Sequence, residues 1–399
     1  MKIGTYYILS PNEDTQHIDA YNREYLQQIA AALGQELPIV TAEEAKGCDY
    51  LIVLVGGGGT EASFRKALPQ LPASFCLLAT DRNNSLAASM EILSYLRQQG
   101  ITSEILHGSA ETVAKRLDLL SRVRKTKEKI SHLRLGCVGR PSDWLISSDV
   151  DREKSKELNG ITILDIPMEE LMQEFEKHQY EDNEYTKAIK ARGWHPEDTE
   201  VCCEIYGALK RIVQQYQLDG VTLRCFDLLG PLHNTGCLAL AVLNAEGVYA
   251  GCEGDVPSLI SMAILGELSG NPVFMANPSQ ILPEKNEIIF AHCTLPLNMP
   301  TKIELMTHYE SGLGVAFRGT IPEGPCTVFK TSGLLNEYFV SCGELQENLC
   351  RNDLCRTQIR LQLPAEDLHY FLTRSIGNHH LITTGDHTEL VKAFYQSLS

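Results

Sequence analysis

The run Asp49-Tyr50-Leu51-Ile52-Val53-Leu54-Val55 passes directly into Gly56-Gly57-Gly58-Gly59-Thr60-Glu61, and this stretch decides the fold. A short apolar strand, a glycine turn and a following helix form the repeating unit of parallel α/β sheets. In such sheets the loops at the carboxyl ends of the strands bind ligands. Four glycines let a ligand approach the backbone, and Thr60 is placed to cap the next helix. The run has neither the G-x-G-x-x-G pattern nor a Gly-Lys-Ser/Thr P-loop, so a flexible turn is at least as good an interpretation as a binding loop.

The residues on both sides of this stretch continue the same alternation. Predicted strands cover 2–9, 37–40, 49–55, 74–79 and 102–106, and predicted helices cover 20–34, 42–47, 60–69, 85–98 and 109–129. Helices that alternate with short apolar strands are typical of a doubly wound parallel sheet. We therefore expect such a sheet in a first domain, residues 1–130.

A second α/β unit begins at the apolar run 133–139. Its predicted helices cover 167–178, 182–192, 197–217, 236–244 and 256–268, and its predicted strands cover 220–226, 247–252, 272–275 and 287–292. After residue 298 short alternating runs separated by Gly and Pro predict antiparallel β structure, closed by a strand, loop and helix over 381–398. The expected fold class is thus α/β, with two doubly wound parallel-sheet domains (1–130 and 131–297) followed by a β-rich C-terminal domain (298–399).

The composition is that of a globular protein that works in water. Its 43% hydrophobic and 22% charged residues are typical of that class, and the length of 399 residues predicts two or three domains. A net charge of −16 disfavours nucleic acid and anionic membranes as partners, because both would repel it. The first residues begin a strand rather than a signal peptide, and no run is long enough to span a membrane. A cytoplasmic location is therefore expected, with the 13 cysteines reduced and mostly buried, since they form no C-x-x-C pair.

Two separated polar clusters carry the chemistry. Cys252-Glu253-Gly254-Asp255 places two carboxylates at a predicted strand-to-helix junction, and Gly377-Asn378-His379-His380 places two imidazoles in an apolar frame. Carboxylates and a histidine brought together from distant parts of a chain are the ligands of a divalent metal site. If the clusters meet, the protein performs metal-assisted chemistry on an oxygen-rich substrate.

Each of these residues also has a purely structural interpretation. Asp255 precedes an apolar helix and is as well explained as an N-cap as it is as a ligand. Glu253 has no such local role, which favours a functional partner in its apolar surroundings. His379 and His380 are adjacent and would face opposite sides of a strand, so only one can enter a given site. His292 ends a predicted strand, and Asp227 follows one, where turn initiation is the simpler interpretation.

At this point the sequence resembles the L-fucose isomerase/L-arabinose isomerase superfamily, in particular its shorter fucose-isomerase-like branch. The resemblance covers roughly residues 130–399, and the N-terminal part more loosely. It is carried by the order and spacing of several short segments: 220–226, 240–247, Cys252-Glu253-Gly254-Asp255 with the following helix, 270–274, Ala291-His292-Cys293, His308-Tyr309-Glu310 and 377–386.

The resemblance implies an aldose–ketose isomerase with a divalent metal, commonly Mn²⁺, that forms homo-oligomers and acts on a small-molecule sugar. A carboxylate would move a proton between C1 and C2 through an enediol while the metal polarises the carbonyl. By motif, Asp255 and His379 match metal ligands, Glu253 supplements them, and His292 lies at the sugar pocket. We extend the substrate-binding prediction to Asn378 and His380.

One segment departs from the family pattern. Relatives carry a second essential carboxylate before the run 241–244, whereas this chain reads Asn234-Thr235-Gly236-Cys237-Leu238-Ala239-Leu240. Either Glu253 or Asp227 supplies the missing acid, or the site is altered. The leading hypothesis is an isomerase with Glu253, Asp255 and Asp227 as catalytic residues. The alternative is a non-catalytic carbohydrate-binding or regulatory protein on the same scaffold.

Overall fold

The structure is a computed structural model that describes residues 2–9 and 16–398. The chain divides into two compact units, residues 1–125 and 126–399. The long helix over Ala110–Ile130 contains the boundary between them.

The first unit is a parallel four-stranded sheet with helices on both faces. The strands, in their spatial order, are β1 (Ile3–Ile8), β2 (Tyr50–Val55), β3 (Phe75–Ala79) and β4 (Ile105–Leu106). The helices are α1 (Gln16–Leu33), α2 (Ala42–Ala45), α3 (Glu61–Ala67), α4 (Ser85–Gln98) and α5 (Ala110–Ile130). A single bridge from Ile39 to Thr5 takes the place of the strand predicted at 37–40, on the free edge of β1.

Strand β2 shows why the sheet is doubly wound. All of its residues are buried, and successive side chains point to opposite faces. Tyr50, Ile52 and Leu54 join a core with α1 and α5, whereas Leu51 and Val53 join a second core with α3 and α4. Thr60 precedes α3 but does not cap it, because its hydroxyl donates to the Gly57 carbonyl at 2.7 Å.

The second unit opens with another parallel sheet. Its strands are β5 (Arg134–Val138), β6 (Thr162–Ile166), β7 (Gly220–Leu223) and β8 (Tyr249–Cys252), in the spatial order β6-β5-β7-β8. Its helices are α6 (Arg152–Asn159), α7 (Met168–Phe175), α8 (Glu184–Lys190), α9 (Pro196–Tyr216), α10 (Leu229–Leu232), α11 (Cys237–Ala245) and α12 (Val256–Ser269). Helix α6 and strand β6 were not predicted from the sequence. Helix α6 is short and almost entirely polar, so it has no apolar periodicity to identify it.

A closed six-stranded barrel follows the parallel sheet. Its strands are β9 (Phe274–Leu282), β10 (Glu287–His292), β13 (Gly324–Thr331), β14 (Tyr338–Asn348), β15 (Thr357–Gln362) and β16 (His380–Thr384), in the order β10-β15-β14-β13-β16-β9. The hairpin β11 (Lys302–Met306) and β12 (Ala316–Thr320) and the helices α13 (Ala365–Thr373) and α14 (Thr388–Leu398) complete the chain. The strands β9 and β10, which the sequence analysis grouped with the second α/β unit, pair antiparallel in this barrel.

The predicted fold class is confirmed, since two parallel sheets with helices precede a β-rich C-terminal region. The division into three domains at residues 130 and 297 stays a prediction. Within the described ranges, no helix is both long and apolar enough to cross a membrane.

Two helix C-caps provide a matched test of packing against backbone strain. Gly160 and Gly270 end α6 and α12 with φ near 70°, but a Cβ on Gly160 would lie 2.1 Å from the Ser131 carbonyl oxygen, whereas one on Gly270 meets nothing within 4 Å. Gly270→Ala should cost only the left-handed strain, about 1 kcal/mol. Gly160→Ala should cost at least about 2 kcal/mol more, because backbone must move. Urea unfolding measures both, and equal losses would contradict the packing argument.

Candidate metal centre

The two polar clusters meet where the parallel sheet and the barrel join. Strand β8 ends at Cys252, and Glu253 and Asp255 lie in the turn that leads into α12. The barrel contributes His292 from the end of β10, Lys330 from β13, and His379 from the residue before β16. All of these side chains are buried.

The turn at Glu253 has an unusual backbone. Glu253 and Gly254 both have positive φ, 62° and 70°, and the first value is uncommon for a residue with a side chain. A Cβ on Gly254 would lie 2.4 Å from the Arg140 carbonyl oxygen, so the loop after β5 packs directly on this turn. The Ser142 amide donates to the Glu253 carbonyl at 2.9 Å, which fixes the two segments together. Backbone strain is therefore retained at the residue whose carboxylate enters the site.

The Glu253 carboxylate has a hydrogen bond on one oxygen and two imidazoles near the other. The Trp144 indole N–H donates to Oε2 at 2.6 Å, while Oε1 lies 3.5 Å from His379 Nε2 and 4.0 Å from His292 Nε2. Burial by itself would raise the pKa of Glu253, but the adjacent His379 imidazole lowers it to about 2. Glu253 is thus an ionised carboxylate in a nearly dry site.

Asp255 is both a helix cap and a partner of His379. Its Oδ1 accepts the Ser258 amide at 2.9 Å, and its Oδ2 accepts the His379 Nδ1–H at 2.8 Å. Burial opposes ionisation of Asp255, but the Lys330 ammonium and His379 lower its pKa below the usual range. The N-cap interpretation of Asp255 is therefore confirmed, and the same side chain also pairs with His379.

His379 lies between the two carboxylates. Its ring is fully buried, and its Nε2 has no hydrogen-bond partner among the described residues. Burial would lower the pKa of His379, but Asp255 and Glu253 together raise it to about 9. A buried nitrogen that faces a carboxylate without a bonded partner is available to a metal ion once its proton has been released.

Lys330 supplies a buried positive charge behind Asp255. It is 1% exposed, its Nζ donates to Ser258 Oγ at 2.5 Å, and it lies 3.8 Å from Asp255 Oδ1. Burial lowers the pKa of Lys330, and the Asp255 carboxylate acts in the opposite direction. A buried ammonium requires such a partner, so this pair helps to keep Asp255 ionised.

The donor atoms fit a metal ion. Cys252, Glu253 and His292 each offer a ligand atom, and these atoms lie within 4.8 Å of one another. Burial lowers the pKa of His292 to about 3, which leaves the ring neutral and able to coordinate. This buried Cys/Glu/His group, with the unpartnered His379 Nε2 beside it, has the ligand types of a divalent metal site.

Three predicted site residues lie outside this group. Asp227 pairs with Arg224 at 3.0 Å and is 44% exposed. Asn378 is exposed, and its carbonyl accepts His380 Nδ1–H at 3.0 Å. The other His380 nitrogen lies 3.0 Å from the Tyr370 hydroxyl, so His380 makes structural hydrogen bonds on the opposite side of the strand from His379.

Sequence reasoning missed Trp144 and Lys330. Trp144 lies in the loop after β5, at the same carboxyl edge as Glu253, and its ring meets Phe226 at 4.9 Å. Its position after a predicted strand was a usable signal, since ligand-binding loops lie at that edge. Lys330 interrupts the apolar strand β13, and only the three-dimensional structure identifies its partner.

We predict that His379 stabilises the metal-free protein in a pH-dependent way. Its pKa is raised from 6.5 to about 9, so the stabilisation is complete below pH 6.5 and is lost as the pH rises through about 9. His379→Gln should therefore lower the free energy of unfolding by about 1–3 kcal/mol at pH 6 and by much less at pH 9.5. Urea unfolding of the metal-stripped protein across this range gives the comparison.

The exposed His132 provides the control for that measurement, as His132→Gln. A loss in His379→Gln that is the same at both pH values would contradict a charged imidazole between two carboxylates, and would reduce the role of His379 to packing.

Comparison with known proteins gives a distant relationship. No protein-family model matches the chain. Proteins named sulfoquinovose isomerase from Priestia aryabhattai and from Priestia megaterium (strain ATCC 12872 / QMB1551) are each 25% identical over 264 residues, which is 63% of this chain and 59% of theirs. A third protein of that name, from Clostridium sp. (strain MSTE9), is 25% identical over 191 residues, 46% of this chain and 42% of its own. The chain is thus distantly homologous to sugar isomerases, and the matches span less than two thirds of their length.

Proposed function

We propose that this chain is a metal-dependent intramolecular oxidoreductase that interconverts an aldose and a ketose, in the manner of L-fucose and L-arabinose isomerases. The observation that carries the proposal is the His379 imidazole, buried between the carboxylates of Asp255 and Glu253. The distant homology to proteins named sulfoquinovose isomerase supports the same class of reaction. The partner is a small-molecule sugar, and the resemblance implies a homo-oligomer.

Glu253, His292 and His379 are the residues that would hold the ion, and the Cys252 sulfur, within 4.8 Å of the Glu253 and His292 ligand atoms, would be a further donor. Asp255 acts through His379, because both Asp255 oxygens already have protein partners and its hydrogen bond to Nδ1 directs Nε2 toward Glu253. The resemblance implies Mn²⁺, and carboxylate and imidazole donors suit a divalent transition metal. Such an ion, when bound, would polarise the sugar carbonyl.

Glu253 is the group that would carry the proton between C1 and C2. Its carboxylate is ionised, nearly dry and fixed in direction by the Trp144 indole. A base must be held within hydrogen-bond reach of the carbon acid, and a strained, anchored turn provides that rigidity. The half-exposed Trp144 ring, packed on Phe226, offers an apolar surface beside the carboxylate on which a sugar face can rest.

The missing family carboxylate favours the second candidate, a carbohydrate-binding protein without turnover. Asn234 is buried, and its side-chain oxygen accepts hydrogen bonds from the Thr235 amide and the Cys202 thiol. Asp227 is held by Arg224. In the isomerase proposal Glu253 must therefore serve both as a ligand and as the base.

Proton transfer separates the two candidates. Sulfoquinovose, L-fucose and L-arabinose are each incubated with the Mn²⁺-loaded protein in deuterated water. We expect one of them to give the ketose with deuterium at the exchanged carbon, and Glu253→Gln to lower this rate by at least about 100-fold. Saturable stabilisation by a sugar without ketose or deuterium incorporation would instead support the binding protein.

Asp227→Asn is the matched control for the base. Asp227 is half-exposed and paired with Arg224, away from the site. The isomerisation rate of the Asp227→Asn variant should therefore stay within about threefold of the wild-type rate. Loss of activity in Asp227→Asn with retention in Glu253→Gln would assign the proton transfer to Asp227.

A further inference from the structure

Two thiols meet directly behind the Glu253 turn. Cys252 is the last residue of β8, and Cys225 begins the short 3₁₀ turn Cys225–Leu228 that follows the neighbouring strand β7. Their sulfur atoms are 3.0 Å apart, and both side chains are buried. In the structure both are free cysteines.

The Cys225 and Cys252 sulfurs are already close to bonding distance. A disulfide places its sulfurs about 2.0 Å apart, so the two atoms need to approach by about 1 Å. Both residues lie at strand ends rather than inside a ladder, where a small backbone adjustment disturbs few sheet hydrogen bonds. A bond here would cross-link the carboxyl ends of two adjacent parallel strands.

The pair is also connected to the site on both sides. Cys252 belongs to the metal-capable group with Glu253 and His292, and Cys225 precedes Phe226, which packs on Trp144. A bond between the thiols therefore involves both a donor atom and the segment that supports the Trp144 ring.

We propose that Cys225 and Cys252 form a dithiol that closes to a disulfide on exposure to hydrogen peroxide, and that closure withdraws the Cys252 sulfur from the metal-capable group. One thiol attacks the peroxide, whose O–O bond breaks, to give a sulfenic acid and water. The second thiol displaces the sulfenic oxygen as another water and forms the S–S bond. Two thiols are oxidised by two electrons, and one peroxide is reduced to two waters.

Metal binding and the disulfide are then mutually exclusive. An ion held by Cys252, Glu253 and His292 keeps the Cys252 sulfur from Cys225, and the disulfide removes that sulfur as a donor. Both thiols are buried, which limits the access of the peroxide, so the reaction is followed over hours. This inference concerns the thiols and the ion alone and does not depend on the sugar chemistry of the proposed function.

The test uses the full chain, metal-stripped, with hydrogen peroxide as the oxidant. After exposure, free thiols are alkylated and the peptides are mapped by mass spectrometry. We expect Cys225 and Cys252 to lose alkylation together, a cross-linked peptide pair to appear, and dithiothreitol to restore both. Independent oxidation of single cysteines to sulfinic acid, or pairing of either residue with a third cysteine, would overturn the assignment.

Two further measurements test the coupling. Loading the protein with Zn²⁺, which has a higher affinity for thiols than Mn²⁺ has, should slow the cross-link at least tenfold, and the cross-linked protein should bind Zn²⁺ at least tenfold more weakly. Unchanged rates and affinities would overturn the exclusion. The Cys225→Ser variant should form no cross-link at Cys252. Cys76 is a buried thiol in the first unit, and the Cys76→Ser variant should form the Cys225–Cys252 cross-link at the wild-type rate. Because wild-type mapping alone identifies the bond, a variant that fails to fold does not remove the test.

Discussion

The site depends on one buried imidazole between two carboxylates. Placing charged groups in a dry interior is unfavourable unless each has a partner. Here the Asp255 carboxylate accepts hydrogen bonds from a helix amide and from His379 and forms an ion pair with Lys330. The Glu253 carboxylate accepts a hydrogen bond from the Trp144 indole N–H. His379 connects the sets, because its two nitrogens face the two acids. The arrangement stabilises the charges, and it leaves one nitrogen without a hydrogen bond at the position where an ion would bind.

This constraint explains why the parallel sheet and the barrel share a boundary. Both acids lie in the turn that follows β8, whereas His292 and Lys330 come from barrel strands and His379 from the residue before β16. Neither half contains the complete donor set. The left-handed backbone at Glu253 and Gly254 turns the first carboxylate toward the barrel, and the cap at Asp255 fixes the second at the start of α12. Strain at such a position is maintained only when the surrounding contacts determine it, as the Arg140–Ser142 segment does here.

Much of the fold was predictable from local pattern, and much of the site was not. Buried strands such as 50–55 could be predicted because they are short and entirely apolar. Short alternating runs separated by Gly and Pro predicted the β-rich region. Strand pairing was harder to predict, because nothing local distinguishes β9 and β10 from strands of a parallel sheet, and β6 follows the polar helix α6, which was not predicted either.

The sequence did indicate four residues of the candidate site, because carboxylates and imidazoles in apolar runs need partners. These residues are Glu253, Asp255, His292 and His379. Trp144 and Lys330 were missed because their importance lies in contacts more than 70 residues away along the sequence. His380 is adjacent to His379 in sequence but does not share its site, since its ring faces the aromatic core.

The central claim is that Glu253, His292 and His379 hold a metal ion and that Asp255 orients the His379 ring. Calorimetric titration of Mn²⁺ into the metal-stripped protein, compared with His379→Gln, tests it most directly. We expect one site per chain in the wild-type protein, and an affinity at least about 10-fold lower in the variant. Equal affinity in both proteins, or no binding to the wild-type chain, would contradict it.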